Sequence, residues 1–305
     1  MFDLFIHWNF DPDAFSIGSL TVRWYGILYG CSFIASYYAF KDLLKFDKVP
    51  VDIADRALIY MILGTVIGAR IGDCFFYHPK YYLQHPFEIL AIRQGGLSSH
   101  GGAIGILISL YLFARKLQKP YIWVLDRVVV VVGVAGFFIR MGNLANSEIY
   151  GHATTLPWGF IFERNRETIP KHPTQIYEAL YYALTYVVLR LIYRKSDNRP
   201  RPYLIFGLFL IMVFCFRFCI EFIKNPQEEF EQSMMFNMGQ YLSIPFILLG
   251  VASLILCCRQ KEPASSHGNN QQPQKKTIIH TQPQQAKPAV AHQQKSSVKP
   301  KKKKK

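Results

Sequence analysis

Acidic residues are scarce in this chain of 305 residues. Only 20 Asp and Glu stand against 35 Lys and Arg, and 18% of all residues are charged. Half the residues are hydrophobic and 15% are aromatic, a composition that barely supplies the polar surface a soluble protein of this size needs. Cysteine is sparse too. Cys31, Cys74, Cys215, Cys219, Cys257 and Cys258 form no Cys-x-x-Cys, and none has His or Cys neighbours at zinc-ligand spacing. Neither a metal site nor a structural disulfide is therefore expected, and small-hydrophobe packing is the default for these thiols. A cleavable signal peptide is not expected, because Met1–Phe15 contains Asp3, Asp11 and Asp13 and lacks a basic leading region. Internal repeats and matched pairs of interrupted apolar runs are missing, which argues against a secondary transporter.

What the chain does have is long apolar runs. Val22–Leu44, Ala57–Tyr77, Ala103–Phe113, Ile122–Met141, Gln175–Tyr193, Tyr203–Ile223 and Gly239–Cys258 stand out. Several approach the roughly 20 residues that cross a hydrocarbon core of about 30 Å. Basic residues follow every second run: Lys41, Lys45 and Lys48; then Arg115, Lys116 and Lys119; then Arg190, Arg194, Lys195, Arg199 and Arg201; then the tail. The segment after the sixth run is instead acidic, with Glu228, Glu229 and Glu231. Seven spans put all the strongly basic segments on one side of a membrane, the cytoplasmic one. The expected fold is thus all-α: a polytopic membrane protein of about seven transmembrane helices, N-terminus outside and C-terminus inside.

Two regions are expected. Residues 1–259 form the transmembrane domain, and residues 260–305 a disordered lysine-rich tail on the cytoplasmic side. From Arg259 onward twelve Lys or Arg face a single acid, Glu262. The formal net charge of +15 is therefore concentrated in the tail, and a nucleic-acid partner is not expected for the body. The tail lacks the apolar residues that offset chain entropy; its basic side chains suit anionic lipid, at about 1 kcal/mol each near the surface.

Charge inside an apolar run needs a reason, since Arg at mid-bilayer costs at least about 2.5–3.5 kcal/mol. Arg140 lies near the outer end of the fourth run and Arg217 in the sixth, with Glu221 one helical turn beyond it. Arg217 and Glu221 either close on each other or face a ligand. Arg140 needs a partner on another helix, in a loop or on a ligand. Glu178, in the run His172-Pro-Thr-Gln-Ile-Tyr-Glu178 that opens the fifth span, can complement a buried cation. Two guanidiniums in a lipid setting suit a phosphate, whose oxygens match their planar fork of donors.

His100 heads a glycine cluster with Gly101, Gly102 and Gly105 at the start of the third span. Glycine permits close backbone approach to a ligand, and a helix start offers free N–H groups to anions. His100 has three readings: proton acceptor, hydrogen-bond donor or structural filler. The stretch from Arg140 to Gly151 gathers Asn143, Asn146 and Glu148 at the outer end of the fourth span, where the amides can orient a glycerol or phosphate group.

Taken in order, the run Gln94–Gly105, the Arg140–Gly151 stretch, the His172–Glu178 opening and Arg217–Glu221 resemble the prolipoprotein diacylglyceryl transferase family. Trp24-Tyr25-Gly26 and Gly239-Gln240 fit as well, so the resemblance runs from about Thr21 to Leu256. It implies a multi-pass enzyme of the bacterial inner membrane. Such an enzyme moves the diacylglyceryl group of phosphatidylglycerol onto the lipobox cysteine of a prolipoprotein signal peptide and releases glycerol phosphate. It also implies His100, Arg140 and Arg217 as catalytic residues. Tyr25, Gly101, Gly102, Asn143, Asn146, Glu148, Gly151 and Glu221 are the implied substrate-binding residues. The nucleophile is the substrate's thiol, so no enzyme cysteine, metal or redox cofactor is needed. The sequence departs from the usual pattern at His152, Val213, Lys224 and Gln227. The alternatives from other classes are a phospholipid-binding transporter or flippase using the same basic pocket, and a non-catalytic membrane scaffold.

Overall fold

Each of the seven apolar runs becomes one long helix. The computed structural model describes residues 5–18, 20–91, 96, 98–196, 200–225 and 234–260. The long helices are α1 (Trp24–Phe46), α2 (Asp52–Gly72), α4 (Ser99–Lys116), α5 (Tyr121–Ala145), α6 (Thr174–Lys195), α7 (Leu204–Ile220) and α8 (Met238–Arg259). A short α3 (Pro79–Gln84) lies between α2 and α4. Among the described residues, three stretches are long and apolar enough to cross a membrane: Asp52–Tyr77, Tyr121–Ala145 and Met238–Arg259; Leu204–Ile220 is apolar but shorter. The lysine-rich tail, the acids Glu228, Glu229 and Glu231, and Gln94 and Gln227 lie outside the described residues.

The helices expose apolar side chains on their outer faces as well as packing others in the core, and they bury a set of polar ones among them. On α6, Leu180, Leu184, Val187 and Leu191 are exposed. The opposite face buries Thr174, Gln175, Glu178 and Thr185. Such an exposed apolar stripe suits lipid, and the chain is a helical membrane protein.

Helices approach closely where small residues repeat every fourth position. Gly64, Gly68 and Gly72 of α2 meet Gly101, Gly105 and Ser109 of α4; a Cβ on Gly101 would stand 2.7 Å from the Gly72 Cα. With no side chains between them the two backbones touch, which is how membrane helices gain dispersion contact without a hydrophobic drive. On α5, Gly136 makes room for the Tyr182 ring of α6, 2.6 Å from where a Cβ would sit. Ser98 caps α4 by accepting from the Gly101 amide at 3.2 Å, and Asn237 with Gln240 forms a capping box on α8.

Polar contacts define two ends of the bundle. At one, Asp47 beyond α1 accepts from Arg127 of α5 at 2.7 Å and from the Tyr193 hydroxyl of α6 at 2.5 Å. There Asp126 also accepts from the Tyr203 and Phe206 amides at 3.0 and 2.8 Å, holding the start of α7. The other end gathers the start of α1, the C-terminal ends of α5 and α7 and the starts of α6 and α8.

The structure adds strands to an expected all-α fold. β1 (Ile6–Trp8) pairs in parallel with β4 (Phe160–Phe162), with Ile6 opposite Phe160. β2 (Asp13–Ile17) and β3 (Leu20–Arg23) form an antiparallel hairpin leading into α1. These short pieces satisfy backbone groups of segments that leave the helices. The Trp8 indole donates to the Leu144 carbonyl at 3.1 Å, tying β1 to the last turn of α5.

Candidate active site

The last two turns of α5 carry Arg140 and Asn143, which are one turn apart and so share a face. Arg140 Nη1 donates to Asn143 Oδ1 at 3.2 Å, and Asn143 Nδ2 donates to Glu148 Oε1 at 2.7 Å. Glu148 follows the end of the helix because the chain turns back there, with Ser147 at φ +56° and Ile149 at φ +62°. A β-branched residue seldom adopts that region. Its turn is held from α6: Thr174 Oγ1 donates to the Ile149 carbonyl at 2.8 Å, and Gln175 Nε2 to the Glu148 carbonyl at 2.7 Å. Gly151 then passes close to α6, where a Cβ would stand 2.9 Å from Thr174 Cγ2 and 2.8 Å from His172 Cβ. Asn146 caps the C-terminal end of α5; its Oδ1 is buried without a hydrogen-bond partner among the described residues.

A chain of alternating charges runs from Arg140 through two carboxylates. Arg140 Nη2 stands 3.1 Å from Glu178 Oε1 on α6, with the Tyr182 side chain of the same helix beside the guanidinium. The same Glu178 oxygen is 3.4 Å from Lys224 Nζ, which is in turn 3.2 Å from Glu221 Oε1. Arg217 ends the chain, with Nη2 3.9 Å from Glu221 Oε1. Glu221 Oε2 accepts from Asn237 Nδ2 at 3.0 Å. Glycine at 239 leaves room for this carboxylate, since a Cβ there would come 2.6 Å from Glu221 Cδ.

The two arginines are therefore unequal. Arg140, with its side chain 12% exposed, is engaged by Glu178, Asn143 and Tyr182. Among the described residues Arg217, at 34%, has a single long ion pair, which leaves most of its five donors without a partner there. Outside the spans, burial and then the nearby His152 push the His172 imidazole below its ordinary pKa, and His172 Nδ1 lies 3.4 Å from the Tyr177 hydroxyl.

The structure brings Arg140, Asn143, Glu148, Arg217 and Glu221 into one end of the bundle. Tyr25 of α1 joins them: its ring packs where a Cβ on Gly142 would come within 2.9 Å, and it lies in the field of Glu148 and Arg140. His100, Gly101 and Gly102 sit instead on the first turn of α4. His100 is exposed, and among the described residues no hydrogen bond or ion pair joins it to either arginine. Gly101 faces Gly68 and Gly72 as part of the α2–α4 contact, while the nearest atom to a Cβ on Gly102 is 3.6 Å away. Sequence reasoning missed Lys224, Tyr182 and Gln175 as members of the cluster. Glu178 and Gln175 lie three apart in the run that opens α6, and that spacing was the available signal for Gln175.

Long helices with apolar outer faces, closed around buried ion pairs at one end, define an integral membrane protein with a polar site set among its helices. Residues 12–256 match the prolipoprotein diacylglyceryl transferase family, and the chain belongs to it. It is 40% identical over 257 residues to the phosphatidylglycerol–prolipoprotein diacylglyceryl transferase of Tolumonas auensis, covering 84% of this chain and 99% of the relative. The enzyme of the same name from Chloroherpeton thalassium is 41% identical over 259 residues, covering 85% and 96%. That from Porphyromonas gingivalis is 42% identical over 266 residues, covering 82% and 94%.

Proposed function

We propose that this chain is the transferase that moves the diacylglyceryl group of phosphatidylglycerol to the cysteine thiol of a prolipoprotein. The sulfur attacks the glyceryl carbon that carries the phosphate, a C–S bond forms and the C–O bond to phosphate breaks. The products are a thioether and glycerol phosphate, and the thiol proton passes to a base. A thiol has a pKa near 8.5 and attacks as its thiolate, so both deprotonation and a positive field favour the step. Negative charge grows on the leaving phosphate, where a fixed guanidinium in a dry site stabilises it.

The observation that carries this reading is the open guanidinium of Arg217, held 3.9 Å from Glu221 at one end of a buried ion chain whose other end is Arg140. Arg217 takes the phosphate, Arg140 anchors the site, and Asn143, Asn146 and Glu148 orient the head group with Tyr25, Gly151 and Glu221. His100, exposed at the start of α4, is the proton acceptor, and the backbone of Gly101 and Gly102 lines the approach to it. The seven long helices are seven spans of a bacterial inner membrane, with this site at the outer end. The lipobox cysteine of a signal peptide reaches the site from that side. The tail from residue 260 lies on the cytoplasmic side and takes no part in catalysis; the partners are lipid and peptide, not nucleic acid.

The test is mass spectrometry of a lipobox peptide incubated with membranes holding this protein and phosphatidylglycerol. A diacylglyceryl mass gain on the cysteine, lost when cysteine is replaced by serine, is the expected result. An unmodified peptide in the presence of folded protein overturns the assignment.

A further inference from the structure

Among the described residues, Lys224 is the cation of the ion chain that stands within ion-pair distance of both carboxylates, and it is buried. Its side chain is 1% exposed, and its Nζ stands 3.4 Å from Glu178 Oε1 and 3.2 Å from Glu221 Oε1. It is also fixed through its backbone. Lys224 bridges to Gly151, while the flanking Ile223 carbonyl accepts from His152 at 2.9 Å and the Asn225 amide donates to Tyr150 at 3.3 Å. A buried ammonium held so firmly is costly unless both charges are satisfied. Here one ammonium satisfies two acids from different helices.

The geometry matters most at Glu221. That carboxylate has two positive neighbours competing for one oxygen, Lys224 at 3.2 Å and Arg217 at 3.9 Å. Its second oxygen is held by Asn237 at 3.0 Å. With the ammonium gone, Arg217 would be the one cation left within ion-pair distance of Glu221 among the described residues, with Arg140 farther off. The acid would then swing toward the guanidinium, since a close ion pair in a low-dielectric site far outweighs a loose one. A bidentate pair of that kind occupies the same fork of donors that a phosphate needs. Resting on the functional reading above, we infer that Lys224 is a positioning residue for the transfer: by holding Glu221 away from Arg217 it keeps that guanidinium open for the leaving phosphate. On the other side it shares Glu178 with Arg140 and so ties the two arginines into one unit.

The experiment is a cycle of Lys224→Met, Glu221→Gln and the double variant, with turnover measured on a lipobox peptide and phosphatidylglycerol at equal amounts of folded protein. Lys224→Met should lower kcat about 10- to 100-fold, the scale of a small misplacement in a positioned site. The double variant should regain at least threefold over Lys224→Met, because the amide at 221 keeps an acceptor for the head group but has no charge with which to cover Arg217. A merely structural lysine gives the opposite, a double variant no faster than the single one, and that result overturns the inference. So does Lys224→Met turning over within twofold of the wild type. Should Lys224→Met fail to accumulate in membranes, Lys224→Gln replaces it in the same cycle; if every variant lacking the charge fails to accumulate, with or without Glu221→Gln, the lysine is structural and the inference falls. Wild-type protein is the control. An inactive wild type refutes the functional reading and takes this inference with it, whereas an active wild type with a fully active Lys224→Met variant refutes the role of Lys224 alone.

Discussion

Glu178 and Arg140 face each other across the α5–α6 interface with 3.1 Å between Oε1 and Nη2. Arg140→Ala removes a guanidinium that also serves Asn143 and Tyr182, so it should abolish transfer and also destabilise the fold. Breaking a buried pair costs about 3–5 kcal/mol. Arg217→Ala removes a half-open side chain with one loose ion pair among the described residues, so its melting temperature should stay near that of the wild type. Its turnover should nevertheless fall by about 10²–10³, the usual loss of a donor aimed at developing charge. Thermal unfolding in detergent and initial rates on the same preparations separate the two. Equal melting of both variants, or near-normal turnover of Arg217→Ala, would show that the division of labour is wrong.

The two adjacent glycines at the start of α4 should answer differently to alanine. A Cβ on Gly101 meets the Gly72 backbone at 2.7 Å, whereas one on Gly102 finds nothing nearer than 3.6 Å. Gly101→Ala should therefore cost about 1–3 kcal/mol, as overpacking does, and Gly102→Ala should leave stability unchanged. Unfolding midpoints measure this directly. A Gly102→Ala variant that folds normally but transfers poorly locates the lipid at that turn.

His100→Gln tests the proton acceptor. A general base contributes about 10²–10⁴-fold. The wild-type rate should fall on acidification, and the variant should lose that step and recover at alkaline pH as the substrate thiol ionises unaided. pH–rate profiles at saturating lipid are the measurement. Identical profile shapes rule out His100 as the base and leave thiol activation to the field of the arginines.

His172 gives a pH dependence of stability. Burial and His152 lower its pKa in the folded protein, so the unfolded chain binds the proton more readily than the folded one. The stabilisation is complete above the unfolded value of about 6.5 and is lost as pH falls through the lower folded value. The melting temperature should therefore fall on acidification from pH 7, and His172→Asn should flatten that slope. A wild-type slope unchanged by the substitution assigns the acid sensitivity elsewhere.

The long helices were legible because each is an apolar run of helical length, and their ends fall within a few residues of the runs. The site was half legible. Arg140, Arg217 and Glu221 announced themselves as charges among apolar neighbours, and Glu178 as an acid able to meet a buried cation. Lys224 did not, because it lies past the end of α7, where a basic residue needs no special account. The glycines at 101 and 105 read as room for a ligand. Their fourfold spacing, repeated at 64, 68 and 72, is equally the pattern of two helices in contact. The pairing of β1 with β4 had no signal at all, being three residues long and joined over a great sequence distance.

That distance has a consequence for how the protein is made. His7 on β1 bonds Glu163, 156 residues later, at 2.7 Å, and Ile6 lies against Phe160. During synthesis the first strand emerges long before its partner exists. It must wait, unpaired, while α1 through α5 are made one after another. β1 is thus made well before β4 and settles only after it. A pulse-labelled chain halted before residue 160 would carry a protease-sensitive head, and the completed chain would not.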